Sequence, residues 1–303
     1  VPSPDQSLAY APFPLAVSAA QLGFVESSVS ENGSTIVARH PAKRTSVRAT
    51  IFLHGAAGSW TTWTPLLEAA RASGVVIHNP VLVDLPGWGD ATLAENASLD
   101  DICHLVKAVA EHLGYTEWDV IGHSMGGFIA LHLGAIWPGN VHSIGVISPT
   151  AWSIIESVEH PVRRFGTLPA FTMLWRVMRL MRSGGIVRVA RRLGLLRLAV
   201  FPLFRHPSRI QRSVIDALAR EVRPVAFSSA AEITRGYDAD ARWASIECPV
   251  HALRGDRDVF VTPADFDRLR SVIPDATLTV IADCGHFAAV ERPHETLEAL
   301  GAF

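Results

Sequence analysis

The sequence predicts an α/β fold: a mostly parallel central sheet with helices on both faces, interrupted by an inserted helical cap. Two observations carry that expectation. Short runs rich in β-branched and aromatic residues alternate with longer amphipathic runs up to about residue 150, and the alternation returns after 236. That is the order right-handed strand–helix–strand crossovers produce. Between them the pattern is helical and arginine-rich, with no strand-like run. The chain therefore divides into a core of residues 1–150 and 237–303 and a cap of residues 151–236.

Each element has a local reason. The runs FVESSVS and STIVARH flank Asn32-Gly33, a two-residue hairpin signal. VRATIFLH is a short apolar run suited to a buried strand, and WTTWTPLLEAARASG is a helix from Trp60 that Gly74 stops. VVIHNPVLVD is the next strand. SLDDICHLVKAVAEHLG opens on Ser98 as N-cap, with acids in its first turn, and closes at Gly114. EWDVIG and VHSIGVIS are strands that bracket the helix after Ser124. Beyond the cap, PVHALRG is a strand, Thr262 caps a helix with Pro263 at its first position, and ATLTVIAD and a helix from about Pro293 complete the series.

Composition excludes several function classes. With 303 residues, 49% apolar and only 18% charged, the chain can bury one large core. A net charge of −2 gives no general reason to bind nucleic acid. Cys103, Cys248 and Cys284 are too few and too scattered for a disulfide framework or zinc site and read as free buried thiols, so no metal and no cofactor is expected. No uncharged run reaches membrane-span length, and the first residues lack a basic region ahead of their apolar ones. A cytoplasmic location is the default expectation.

One stretch carries chemistry. In DVIGHSMGGFIALHLG, Ser124 stands between Gly122 and Gly126, where a strand gives way to a helix. A strand–turn–helix of that kind is tight, and glycines remove side chains that would collide. It lifts the serine hydroxyl over the carboxyl edge of the sheet, where ligands of such sheets bind, beside a helix N-terminus that favours negative charge. Ser124 is the candidate nucleophile, and a hydroxyl needs a base, and the base an orienting acid.

At this point the chain resembles the α/β-hydrolase superfamily, through LHGAAGSW, DLPGWGDA, GHSMGG, GDRDVFVTP and DCGHFAAVERP in the family's order. The resemblance covers nearly everything outside the first ~20 residues. It implies that Ser124 is the nucleophile, His286 the base and Asp258, reached by counting Gly-x-x-Asp from Gly255, the acid in preference to Asp256. It implies an oxyanion hole of the Ala56 and Met125 backbone N–H groups, and a structural role for Asp84. Trp88 and Phe287 stand near the implied pocket, and His54, His123 and His251 read as framework residues around it. Serine in place of aspartate argues against a haloalkane dehalogenase or epoxide hydrolase, and the cap has no tyrosine of the kind the latter use. The leading expectation is hydrolysis of an ester, lactone or thioester of a largely apolar small molecule. The alternatives are carbon–carbon hydrolysis of ring-cleavage diketones, perhydrolysis or acyl transfer on the same triad, and a noncatalytic binding member. Carbon–carbon hydrolases usually show a more glycine-rich oxyanion loop and a tryptophan where this chain has Phe287.

The cap is polarised in charge. Residues 151–236 hold fifteen arginines, no lysine and five acids, a balance of +10 against −12 for the rest. Arg176, Arg179 and Arg182 share a helical face, with apolar residues such as Leu174 and Met178 on others and expected to line the substrate channel. The leading expectation is a lid whose arginines face solvent or the acidic core. A dimer contact or peripheral contact with an anionic membrane, and capture of an anionic substrate group, are the alternatives.

Overall fold

Asn32 and Gly33 both take positive φ, 49° and 79°, and close a hairpin between β1 (Phe24–Glu31) and β2 (Ser34–Pro41). Two such residues give the turn a twist that matches its strands. The computed structural model describes residues 9–161, 168–181, 188–190 and 192–301. After the hairpin come β3 (Arg48–Leu53), α1 (Thr64–Ser73), β4 (Pro80–Asp84), α2 (Leu99–His112), β5 (Glu117–His123), α3 (Met125–Ile136) and β6 (Val141–Ile147). The sheet closes with β7 (Val250–Gly255) and β8 (Thr277–Ile281) in the order β1-β2-β4-β3-β5-β6-β7-β8. Only the β1–β2 and β2–β4 pairings are antiparallel.

Strand side chains alternate between two apolar layers. Ile51, Leu53, Val81, Val83, Val120 and Val146 pack with α2 and α3. Phe52, Leu82, Ile121, Ile147 and Leu253 pack on the other face with α1 and with α12 (Pro293–Leu300). Burial on both faces is why these strands read as continuous apolar runs. Two expected boundaries move. The helix expected from Trp60 begins with a 3₁₀ turn over Trp60–Trp63 and becomes α-helical at Thr64. The strand expected from Val75 starts only at Pro80, because Asn79 sits at φ 42° and ties down a loop. Its side chain accepts from the Thr45 N–H (2.9 Å) and donates to the Arg48 carbonyl (2.7 Å).

Between β6 and β7 the described residues form helices and no strand: α4 (Trp152–Glu159), α5 (Pro169–Leu180), α6 (Leu196–Val200), α7 (Arg212–Arg220), α8 (Pro224–Ile233) and α9 (Ala239–Trp243). Phe171, Trp175, Met178, Val200 and Leu218 from these helices share one apolar cluster with Phe260, Phe287 and Val290 of the core and with Tyr10. The helical layer thus sits over the loops at the carboxyl ends of the strands. Those loops lead into α10 (Pro263–Val272), where Thr262 and Asp265 cap each other's N–H groups, and α11 (Ala288–Glu291). The three cysteines are free; Cys103 and Cys284 are buried, whereas Cys248 is half-buried. Among the described residues, no helix is long and apolar enough to cross a membrane.

Candidate active site

β5 ends at His123 and α3 begins at Met125, so Ser124 alone makes the turn, at φ 52° and ψ −115°. That backbone is strained by about 1–3 kcal/mol for a residue with a side chain. Hydrogen bonds hold it. The Ser124 N–H donates to the Ile147 carbonyl (3.0 Å), and the Ser124 carbonyl accepts from the N–H groups of Gly127 (3.0 Å), Phe128 (3.1 Å) and Thr150 (2.9 Å). The flanking glycines are required sterically. A Cβ at Gly122 would fall on the Gly126 carbonyl, and one at Gly126 on the Leu53 carbonyl.

The loop after β3 closes on the same point. A Cβ at Gly55 would stand 3.0 Å from the Ser124 Cβ, so the following Ala56 backbone comes close to the serine. Among the described residues, neither the Ala56 nor the Met125 N–H donates to another protein group. Both residues line the cavity that contains Ser124. The loop is held from behind: Trp88 Nε1–H donates to the Ala56 carbonyl (3.0 Å), and His54 donates through Nδ1 to the Gly55 carbonyl (2.8 Å) while Nε2 accepts from the Leu85 N–H (3.0 Å). Burial pushes the His54 imidazole below its ordinary pKa, which suits a neutral ring used on both sides. Asp84 is buried beneath, paired with Arg39 and accepting from the Trp60 N–H (3.0 Å).

The loops after β7 and β8 abut, since a Cβ at Gly255 would strike the Cys284 and Gly285 carbonyls. Their contact brings His286 Nδ1 within 3.0 and 3.1 Å of the two Asp258 carboxylate oxygens, with both side chains buried. Burial alone would raise the Asp258 pKa, but the His286 charge and hydrogen bond and the Phe260 N–H outweigh it and hold the carboxyl below its ordinary range. An ionised carboxylate only accepts, so Nδ1 carries a proton, and whenever the ring is neutral Nε2 bears the lone pair. Asp256 is part-exposed and accepts from the Cys284 N–H (3.0 Å), which makes it a loop brace.

Two neighbours fix the His286 main chain. Its N–H donates to the Leu203 carbonyl (2.8 Å), and its carbonyl accepts from His123 Nε2 (2.9 Å). Burial, reinforced by the adjacent His286, pushes the His123 pKa down to about 3. A few residues on, the fully buried Glu291 gathers four donors: the Tyr10 hydroxyl (2.6 Å) and the N–H groups of Arg205 (2.8 Å), Gly285 (2.9 Å) and Phe287 (3.0 Å). Burial raises its pKa against the pull of those bonds. Sequence reasoning passed over Glu291, although an acid inside the apolar run FAAVERP signals a buried, partnered carboxylate.

Above Ser124 lies a cavity of about 450 Å³, counting its mouth. Its polar lining is Ser124, Thr150 and Thr234; its apolar walls include Phe128, Ile154, Phe171, Phe227 and Phe260. Trp88, Leu174, Met178 and Phe287 are not among its lining residues. Leu174 and Met178 line a neighbouring cavity of about 290 Å³ that shares Ala56 and Phe227 with the first. Trp88 lines a third cavity beyond Met125 and Phe128. Phe287 is packed against Phe204 and His123, with ring centroids 5.2 and 4.7 Å away. His251 sits near the start of β7, at the opposite end from Asp258. The periodicity of α8 marks buried faces but not that Phe227 and Thr234 border a void.

Residues 50–299 match the sequence profile of the alpha/beta hydrolase family. The chain belongs to that family. As an alpha/beta hydrolase it is similar to a monoacylglycerol lipase of Mus musculus, 23% identical over 264 residues that cover 84% of this chain and 74% of the lipase. A 2-hydroxy-6-oxononadienedioate/2-hydroxy-6-oxononatrienedioate hydrolase of Burkholderia vietnamiensis is 24% identical over 271 residues, 88% of this chain and 90% of the relative. The chain spans only 62% of the length of another, longer curated relative. Its fold is similar to that of the enol-lactonase from Burkholderia xenovorans LB400, with a TM-score of 0.67 and 16% identity over 90% of this chain and 97% of that one.

Proposed function

We propose that this alpha/beta hydrolase cleaves a carboxylic ester or lactone of a largely apolar small molecule through an acyl-enzyme on Ser124. The observation that carries the reading is the strained Ser124 turn under an apolar cavity, with two unengaged N–H groups beside it. His286 Nε2 takes the hydroxyl proton as Ser124 Oγ attacks the carbonyl carbon. Asp258 stabilises the imidazolium that forms, and the Ala56 and Met125 N–H groups receive the oxyanion. When the tetrahedral intermediate collapses, the C–O bond breaks and the leaving alcohol takes the proton from His286. Water then repeats the sequence, releasing the acid and freeing Ser124.

One observation separates this from carbon–carbon hydrolysis of a dioate. Among the described residues, the cavity lining around Ser124 includes no arginine or lysine, and two carboxylates would enter that lining without a counter-charge. The decisive test is turnover of a panel of neutral esters, lactones and anionic diketones, combined with a fluorophosphonate probe. The reading expects steady ester turnover and labelling at Ser124 alone. Labelling elsewhere, or turnover confined to the diketones, overturns it. Equal partition of the acyl group to added alcohol and to water would instead identify a transferase.

A further inference from the structure

The outer surface of the cap combines two features that rarely occur together. Among the described residues, the large apolar side chains most exposed outside the cap are all valines, at positions 17, 25, 47, 75, 76 and 280. The strongly exposed Leu, Met and Phe side chains all lie between Met173 and Phe201, and they include Met173 (64%), Leu180 (75%) and Leu193 (67%). On α5, Met173, Val177 and Leu180 recur at helical spacing and form one outward stripe, while Phe171, Trp175 and Met178 face inward. Ala190, Leu196 and Val200 of the following segment turn into the same apolar cluster as Trp175 and Met178, so Leu193 and Leu198 crown that cluster from outside. A patch of this kind on a soluble surface marks a contact.

Charge identifies the partner. From His160 to Ile215 the sequence holds twelve arginines and not one acid. Arg176, Arg179, Arg188 and Arg192 are exposed among the apolar side chains. A second copy meeting this face through its own would set arginine against arginine, Arg179 and Arg192 among them. An anionic lipid surface satisfies both features at once: it accepts the leucines among its acyl chains and the guanidinium groups at its phosphates. Arg182 belongs to the same basic run but lies outside the described residues.

We infer that the face of the cap formed by Met173, Val177 and Leu180 with Leu193, Leu195 and Leu198, together with Arg179 and Arg192, docks on an anionic lipid surface. Docking would set the inner side of α5, which borders the cavity next to Ser124 through Leu174 and Met178, directly above the lipid. The inference holds whichever bond the enzyme cleaves.

Co-sedimentation of the full chain with phosphatidylcholine vesicles, with and without about one-quarter phosphatidylserine, tests it. The wild type should pellet with the anionic vesicles, less so as salt rises, and not with the neutral ones. Met173→Glu with Leu180→Glu should weaken partition by about 100-fold, since each buried side chain contributes roughly ten-fold. Arg179→Glu with Arg192→Glu should abolish the anionic preference, at about five-fold for each charge. Both variants should keep wild-type turnover of a soluble ester and labelling of Ser124. Failure of the wild type to pellet with anionic vesicles, or pelleting that survives both pairs, overturns the inference. So does a wild-type dimer that the Met173→Glu/Leu180→Glu pair dissociates in a chain that ignores vesicles, which would make the face a contact between copies.

Discussion

Replacing His123 by glutamine isolates one proton in the acid stability of the fold. The imidazole is buried, donates through Nε2 to the His286 carbonyl and has an ionisation pushed down to about 3. An unfolded histidine titrates near 6.5. Between those values the unfolded chain binds a proton that the folded chain refuses, so stability is complete above pH 6.5 and falls as pH drops towards 3. Each pH unit is worth about 1.4 kcal/mol, and the whole interval amounts to about 5 kcal/mol, comparable with the net stability of a domain. His54 and His132, both depressed by burial, act in the same direction and remain in the variant. A glutamine amide can still donate to the His286 carbonyl but carries no titrating proton. Urea unfolding followed by tryptophan fluorescence from pH 7 to pH 4 should therefore give a shallower decline for His123→Gln, by up to about 1.4 kcal/mol per pH unit. Parallel curves for the two proteins would refute the assignment of a refused proton to His123.

Ser124→Gly should raise the thermal midpoint by about 1–2 °C, by releasing roughly 1 kcal/mol of positive-φ strain, while ester turnover falls about 10⁴–10⁶-fold. Asp258→Asn should lower kcat about 10⁴-fold, whereas Asp256→Asn, which keeps an oxygen for the Cys284 N–H, should stay within ten-fold. Gly126→Ala should abolish soluble active protein, because its Cβ meets the Leu53 carbonyl; Gly139→Ala, facing open space, should leave the thermal midpoint unchanged. Phe227→Ala should join the cavity over Ser124 to the one lined by Leu174 and Met178 and move the ester preference towards longer acyl chains.

The sheet was legible wherever local chemistry decides the backbone. Asn32-Gly33, Gly74 and Thr262-Pro263 each mark a boundary through the dihedral or cap that residue type supplies. Val75–Asn79 was not, because β-branched residues gave it the composition of a strand while the Asn79 side chain, bonded to residues some thirty positions away, holds it as a loop. The tight turn at Ser124 was legible for the same reason as the other turns, since glycine spacing encodes a steric demand. The cavity walls were not. Whether an inward-facing aromatic meets a void or another side chain depends on how α4, α5 and α8 rest on the core, and helical periodicity is blind to that. Leu174 and Trp88 were plausible as apolar residues in the right segments, yet the void beside the serine opens towards Phe227 and Phe128 instead.

Glu291 bears on how such an enzyme can diversify. Its carboxylate takes one donor from the N-terminal segment, one from the helical layer and two from the loop that carries His286. Three regions separated in sequence thus report to a single buried carboxylate. The donor from the helical layer is the Arg205 main chain, so this contact asks for a course of the chain rather than a side chain, while the Arg205 guanidinium pairs separately with Asp283 (3.5 Å). Chimaeras that exchange the whole stretch from α4 to α9 would disturb the His286 loop they leave in place, whereas grafts ending before Leu203 would keep it seated. Changes to the cavity wall that leave the His286 loop seated are thereby open to α4, α5 and α8, with the main chain at Leu203–Arg205 as the fixed point between them.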